Sequence, residues 1–165
     1  MKNIVEKIIV EEFSFLMEQY DFSRVKINSD KYAAKAKFIN KYCAITIKYE
    51  YREAYLFIVI SRLIEGKEVP NPDCCSIHKG VALNNHSLDD LLPPEDEMQP
   101  TYEYGMDSPY HDKKNGLRNY IAKFADNLKK YGKPFFNGDF SLFPALDEIV
   151  VARVEEWKKQ QGFIS

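Results

Sequence analysis

Two adjacent cysteines and a histidine form the short stretch of this sequence with the most potential chemistry. The segment NPDCCSIHKG, residues 71–80, places Cys74 and Cys75 four and three residues ahead of His78. A structural zinc site needs four ligands, commonly in spaced pairs, and adjacent cysteines share one tetrahedral ion poorly. A cysteine nucleophile needs a base, for which His78 or His111 are the candidates. Nothing local marks an oxyanion site, so small thiols at the start of a loop are the simpler interpretation.

No other pattern in the sequence is typical of catalysis or cofactor binding. The seven glycines are scattered, and neither a P-loop nor a dinucleotide fingerprint occurs. Asn137-Gly138 indicates a turn, with Asp139 placed to cap the helix that follows. We therefore predict no cofactor, no metal site and no enzymatic activity. The alternative is a small enzyme that uses Cys74 or Cys75 with a histidine base.

Acidic residues are concentrated in one part of the chain, residues 81–112, which we call the acidic segment. It contains eight carboxylates and no lysine or arginine. The carboxylates are Asp89, Asp90, Glu95, Asp96, Glu97, Glu103, Asp107 and Asp112. The rest of the chain holds 23 basic against 17 acidic residues, so the net charge of −2 conceals a strongly polarised molecule. A solvated, flexible loop is the alternative interpretation of this segment.

Tyrosines interleaved with these carboxylates favour a protein interface in the acidic segment. Tyrosine is enriched at interfaces, and negative charge attracts a basic partner and repels nucleic acid. The predicted partner-binding residues are Asp89, Asp90, Glu95, Asp96, Glu97, Tyr102, Glu103, Tyr104 and Asp107. The carboxylates lack the ordered spacing of a calcium loop, so a metal-binding interpretation is weaker.

Length and composition limit the number of domains, the class of partner and the cellular compartment that we expect. A length of 165 residues with 45% hydrophobic residues predicts one folded domain, residues 1–165. The near-neutral total charge argues against a general nucleic-acid binder. Glutamates interrupt the N-terminal apolar run, and no apolar stretch is long enough to span a bilayer, so we expect neither a signal peptide nor membrane insertion. Three cysteines form no disulfide framework, which favours a cytoplasmic location.

Hydrophobic periodicity predicts an α+β fold that begins with a helix and a sheet. Apolar residues at three- and four-residue spacing indicate a helix from about Lys2 to Tyr20. Four runs follow with the two-residue period of strands, joined by connections of hairpin length, which predicts a four-stranded antiparallel meander. The fourth run, residues 54–64, is apolar on both faces, so we expect it to be covered on both sides or central in the sheet.

Two helices are predicted after the long Pro-rich acidic loop, residues 66–112. The first carries a stripe from Leu117 to Tyr131, followed by the stop signals Gly132 and Pro134. The second runs from about Ser141 to Gln160, with its proline in the first turn. Its predicted buried face is formed by Phe143, Leu146, Val150, Val154 and Trp157. We expect both helices to pack on the sheet.

Four segments together resemble a group of small bacterial proteins, some of which are regarded as immunity proteins of toxin systems. They are residues 13–22 (FSFLMEQYDF), 45–60 (ITIKYEYREAYLFIVI), 87–92 (SLDDLL) and 124–146 (FADNLKKYGKPFFNGDFSLFPAL). These are structural rather than catalytic signatures, so the resemblance carries over no functional residue. Together with the charge of the acidic segment, the resemblance implies a non-enzymatic protein that neutralises a cognate toxin with a basic surface by occluding its active site. A regulatory module that binds another protein is a further alternative.

Overall fold

The computed structural model describes residues 2–165 and confirms the α+β class, with an antiparallel sheet and packed helices. The helices are α1 (Lys2–Glu12), α2 (Phe15–Tyr20), α3 (Gly116–Phe136) and α4 (Phe143–Gln160). The strands are β1 (Ser23–Ser29), β2 (Ala33–Ile39), β3 (Cys43–Glu50), β4 (Tyr55–Ile64), β5 (Lys67–Glu68) and β6 (Asn85–Ser87). None of these helices is long and apolar enough to cross a membrane.

Strands β1 to β4 form the predicted meander, in which each strand pairs with the next in antiparallel register. Side-chain alternation sets this register, because Ile47 lies between Ala36 and Ile58 with all three side chains buried. The prediction of four strands was incomplete, since β5 and β6 also pair with β4. Runs of two and three residues are too short to show a period in the sequence.

The core lies between one face of the sheet and the helices α1 and α3. Helix α1 contacts β1 and β2, and α3 contacts both α1 and β4. The largest fully buried apolar side chains here include Ile9, Phe13, Phe38, Ile45, Ile47, Leu56, Tyr120 and Phe124. Removing this apolar surface from water is the main stabilising contribution to the fold. We call this side of the sheet the inner face and the opposite side the outer face.

The N-terminal helix is interrupted, contrary to the prediction of one continuous helix. Residues 13–14 form a turn between α1 and α2, and Asp21 ends α2 in the left-handed conformation. Phe13, Phe15 and Leu16 are all buried. In one straight helix Phe13 and Phe15 would point about 200° apart, so they could not both face the same core. The break allows both rings to be buried.

Helix α3 passes through its expected stop signals and ends only at Phe136. Gly132 serves close packing instead, because a Cβ atom there would lie 2.8 Å from Leu128 Cδ1 and 2.9 Å from Phe136 Cζ. Phe135 and Phe136 are buried, and the Phe136 ring centroid lies 4.8 Å from that of Tyr20. Burial of two phenyl rings outweighs the backbone hydrogen bond that Pro134 removes.

Residues 66–112, expected as a long loop, are built from short elements. Besides β5 and β6 they form five single-turn 3₁₀ helices: Cys74–Ser76, Leu88–Leu91, Pro94–Asp96, Thr101–Glu103 and Pro109–His111. The Ser87 hydroxyl accepts a hydrogen bond of 3.2 Å from the Asp89 amide and so caps the short helix Leu88–Leu91. Each turn redirects the chain over the surface without a long regular element.

Candidate interaction surface

A buried carboxylate fastens the acidic segment to α3. The Asp96 carboxylate accepts hydrogen bonds from Lys123 Nζ at 2.8 Å, Lys130 Nζ at 2.9 Å and the Tyr131 hydroxyl at 2.6 Å. Asn127 Nδ2 donates to the Asp96 carbonyl oxygen at 3.0 Å. These donors recur at helical spacing on one face of α3. The hydrogen bond from Lys123, followed by those from Tyr131 and Lys130, holds the pKa of the Asp96 carboxyl far below its usual range.

Hydrogen bonds to backbone groups of Gln99 and Thr101 continue this attachment next to the 3₁₀ turn Thr101–Glu103. The Tyr120 hydroxyl donates to the Gln99 carbonyl at 2.7 Å, and the Gln99 amide donates to the Tyr104 hydroxyl at 3.1 Å. The Thr101 amide donates to the carbonyl of Ala54, in the turn between β3 and β4, at 3.2 Å. The segment is thus tied to both α3 and the sheet, so its surface is preorganised.

Apolar anchors complete the attachment. Leu88, Leu92 and Met98 are buried in the main core. The rings of Tyr104, Tyr110 and Tyr120 meet edge to face, with the first two centroids 4.8 Å apart and the last two 5.4 Å apart. Gly116 lets the first turn of α3 approach this cluster, because a Cβ atom there would lie 2.3 Å from the Tyr110 carbonyl oxygen.

Four of the nine predicted partner-binding residues are engaged within the molecule: Asp89, Asp90, Asp96 and Tyr104. Asp89 accepts a hydrogen bond from the Tyr55 hydroxyl at 2.9 Å, and burial raises the pKa of its carboxyl. Asp90 forms an ion pair with Arg153 of α4. These residues position the segment through contacts within the molecule. Spacing in the sequence could not separate them from their exposed neighbours.

The other five predicted residues lie exposed on the same segment: Glu95, Glu97, Tyr102, Glu103 and Asp107. Across the described residues 2–165, no lysine or arginine forms an ion pair with any of these four carboxylates. The exposed fraction is 59% for Tyr102 and 83% for Met106, which was not among the predicted residues. In the sequence, the position of Met106 between Tyr102 and Asp107 was the feature that could have identified it. We call these six residues the acidic surface.

A small recess opens beside this surface. It has a volume of about 250 Å³ and is lined by Tyr55, Asp89, Leu92, Glu97 and Met98. Its polar groups are two carboxylates and a phenol, so its chemistry suits a cationic side chain. A cation that entered would favour the ionised form of Asp89, whose carboxyl pKa burial raises. The recess therefore offers a place for one basic side chain.

The cysteine stretch does not assemble into a site. Cys74 and Cys75 are exposed in a 3₁₀ turn, and Lys158 Nζ donates to the Cys75 carbonyl at 3.0 Å. Cys43 is fully buried, and burial raises the pKa of its thiol to about 12. Within residues 2–165 no group of three histidine, cysteine or acidic side chains is placed to hold a metal ion.

A buried histidine–aspartate pair went unrecognised in the sequence. His86 Nε2 lies 2.8 Å from Asp147 Oδ1, which also accepts from the Leu83 amide at 3.2 Å. Burial lowers the pKa of the His86 imidazole, which therefore acts as a neutral donor. Its side chain is fully buried, so the pair joins β6 to α4 and presents no base to a substrate. Because His86 and Asp147 are 61 residues apart, no short stretch of the sequence indicated that they pair.

A cavity lies next to this pair, between residues 79–82 and α4. Its volume is about 650 Å³, and Asp147 lies in its wall. Apolar side chains form much of the lining: Val81, Ala82, Pro144 and Val151. Packing of residues 79–82 on α4 accounts for both the hydrogen bonds of Asp147 and the apolar lining. The cavity brings no nucleophile and base together, and it favours no catalytic role.

Comparisons of the chain with protein-family models, curated proteins and solved structures found no match.

Proposed function

We propose that this protein is a non-enzymatic inhibitor, an immunity protein that binds a basic surface of a cognate protein toxin and occludes its active site. The observation that carries this proposal is the acidic surface: four carboxylates without a cationic partner among residues 2–165, beside exposed Tyr102 and Met106, on an anchored segment. The sequence resemblance to immunity proteins points the same way. Three free cysteines fit a reducing cytoplasm, where such a protein would meet its toxin.

Preorganisation supports binding by this segment. Ordering a flexible loop on binding costs free energy, and the contacts of Asp96, Gln99 and Thr101 meet that cost before the partner arrives. Unpaired surface carboxylates also accelerate encounter with a basic partner. In this mechanism Tyr102 and Met106 supply apolar contact area, and the recess beside Glu97 receives a lysine or arginine of the toxin.

The test uses the product of the adjacent gene as the candidate toxin, with coexpression for protection and purified proteins for binding. The loss variant carries Glu95→Gln, Glu97→Gln, Glu103→Gln and Asp107→Asn. The matched control carries Glu18→Gln, Glu65→Gln, Glu148→Gln and Glu156→Gln, which neutralises the same number of exposed carboxylates elsewhere. We expect the wild type and the control to protect and bind, and the loss variant to associate more slowly with a weaker salt dependence.

Two results would contradict the proposal. One is unchanged toxicity when the wild-type protein is coexpressed. The other is equal loss of binding in the two variants, which would show that total charge rather than the acidic surface governs association. Binding of a different host protein through the same residues would instead support the regulatory-module alternative.

A further inference from the structure

The outer face of the sheet carries two pairs of lysines that lie directly opposite each other on adjacent strands. Lys26 of β1 pairs with Lys37 of β2, and Lys35 of β2 pairs with Lys48 of β3. Opposed residues in a sheet have Cβ atoms only about 5 Å apart, and like charges in such pairs are destabilising. Four positive charges are thus brought together on one face of the sheet.

Carboxylates neutralise only half of this charge. Glu68 forms an ion pair of 2.6 Å with Lys37, and Glu50 pairs with Lys48. Within the described residues, Lys26 and Lys35 have no carboxylate in ion-pair contact. Within residues 2–165, one lysine of each opposed pair therefore lies outside ion-pair distance of any carboxylate, while Asp30 and Glu53 line the same recess as Lys35. An anion bound beside Lys26 and Lys35 would relieve the repulsion within each pair.

An exposed aromatic ring extends the lysine pattern across the sheet. Phe57 of β4 lies directly opposite Lys48, and 37% of its surface is exposed. Its ring is held by Tyr55, whose centroid is 4.8 Å away and whose hydroxyl is fixed by Asp89. One row across the strands from β1 to β4 therefore contains Asn28, Lys35, Lys48 and Phe57.

We propose that the outer face binds single-stranded nucleic acid, with phosphates on the lysines and a base stacked on Phe57. Lysines beside an exposed ring on one face of an antiparallel sheet match what single strands require: charge that follows the backbone and a flat surface for stacking. An acidic peptide would satisfy the lysines but would leave the ring without a role. The total charge argued against nucleic acid because it averages this face with the acidic segment.

Fluorescence anisotropy with labelled oligothymidylate and oligouridylate of about 12 nucleotides tests the proposal on the full chain. We expect binding at about 50 mM salt that weakens with a log–log slope of roughly −2 to −3 if three or four lysines contact phosphates. Lys26→Gln with Lys35→Gln should reduce that slope by roughly 1.4. Phe57→Ala should weaken binding by about fivefold or more, and Phe57→Tyr should retain it.

Matched controls separate this face from total charge. Lys133→Gln with Lys159→Gln removes two exposed lysines elsewhere and should leave the affinity within about twofold of the wild type. Circular dichroism and thermal melts verify that each variant is folded. The proposal is overturned if the wild type does not bind, if both lysine double variants lose affinity equally, or if Phe57→Ala binds normally. Equal binding of polyglutamate, or self-association that the Lys26 and Lys35 changes abolish, would assign the face to a protein partner instead.

Discussion

Replacing Gly116 by alanine tests whether close backbone packing holds the acidic segment in place. The new Cβ atom would lie 2.3 Å from the Tyr110 carbonyl oxygen and 2.9 Å from its carbonyl carbon. An ordinary carbon–oxygen contact is about 3.3 Å, so the Tyr110 carbonyl must retreat by about 1 Å. That movement would pull the Tyr110 ring away from Tyr104 and Tyr120, against which it packs edge to face.

The expected cost follows from two opposing effects. Forcing a backbone shift in a packed region destabilises by about 1–3 kcal/mol. Alanine recovers at most about 1 kcal/mol, because it loses less backbone entropy than glycine on folding. We therefore expect Gly116→Ala to lower the free energy of unfolding by about 1–2 kcal/mol. In a chain of this size that corresponds to a melting temperature lower by roughly 2 to 8 °C.

Gly105→Ala, within the acidic segment itself, is the matched control. A Cβ atom there would lie 2.7 Å from Asp107 Oδ1, the end of an exposed side chain that can rotate away. Urea denaturation of both variants should show a lower midpoint with an unchanged m-value for Gly116→Ala, and little change for Gly105→Ala. Wild-type stability in Gly116→Ala, or equal losses in the two variants, would refute the packing argument.

Three further predictions concern titratable groups. The stability difference between the wild type and Asp96→Asn should be constant above about pH 4 and shrink at lower pH. The reason is that folding lowers the pKa of the Asp96 carboxyl, and thermal melts across this pH range measure the difference. Below about pH 6.5 the wild type should lose stability relative to His86→Gln, since burial lowers the imidazole pKa in the folded state; a parallel pH dependence would contradict this. An aromatic disulfide reagent should modify Cys74 and Cys75 in the native protein and Cys43 only after unfolding, as thiol counting with and without denaturant would show.

Long periodic patterns predicted much of this fold. The meander β1 to β4 and the start of α4 near its proline follow from alternation and helix signals in the sequence. Helix α3 was misjudged at its end because Gly132 and Pro134 have local stop preferences that the buried Phe135 and Phe136 override. Trp157 was expected to be buried, yet 38% of it is exposed beside Phe163 at the C-terminal end of α4. Periodicity cannot show where a helix extends beyond its packing partner.

The acidic surface was predictable as a stretch of chain but not as individual residues. Composition marks residues 81–112, whereas burial of Asp96 depends on Lys123 and Lys130 of a later helix. The fourth run, apolar on both faces, was expected to be covered on both sides or to sit centrally beneath packed helices, yet its Phe57 is 37% exposed. Its exposure depends on which face the helices cover, and that is decided by long-range packing. Opposed lysines likewise become visible only when the register of β1, β2 and β3 is known.

The acidic segment contacts the sheet at the turn between β3 and β4, where the Thr101 amide donates a hydrogen bond to the Ala54 carbonyl. At physiological ionic strength, exposed charges are screened over about 8 Å, so each ligand responds to the surface it touches rather than to the net charge. The lysines of the outer face and the carboxylates attached through α3 can therefore attract opposite partners on one small chain. Because the Thr101–Ala54 contact joins the acidic segment to this turn, a partner that displaces the segment would also disturb the strand that carries Phe57.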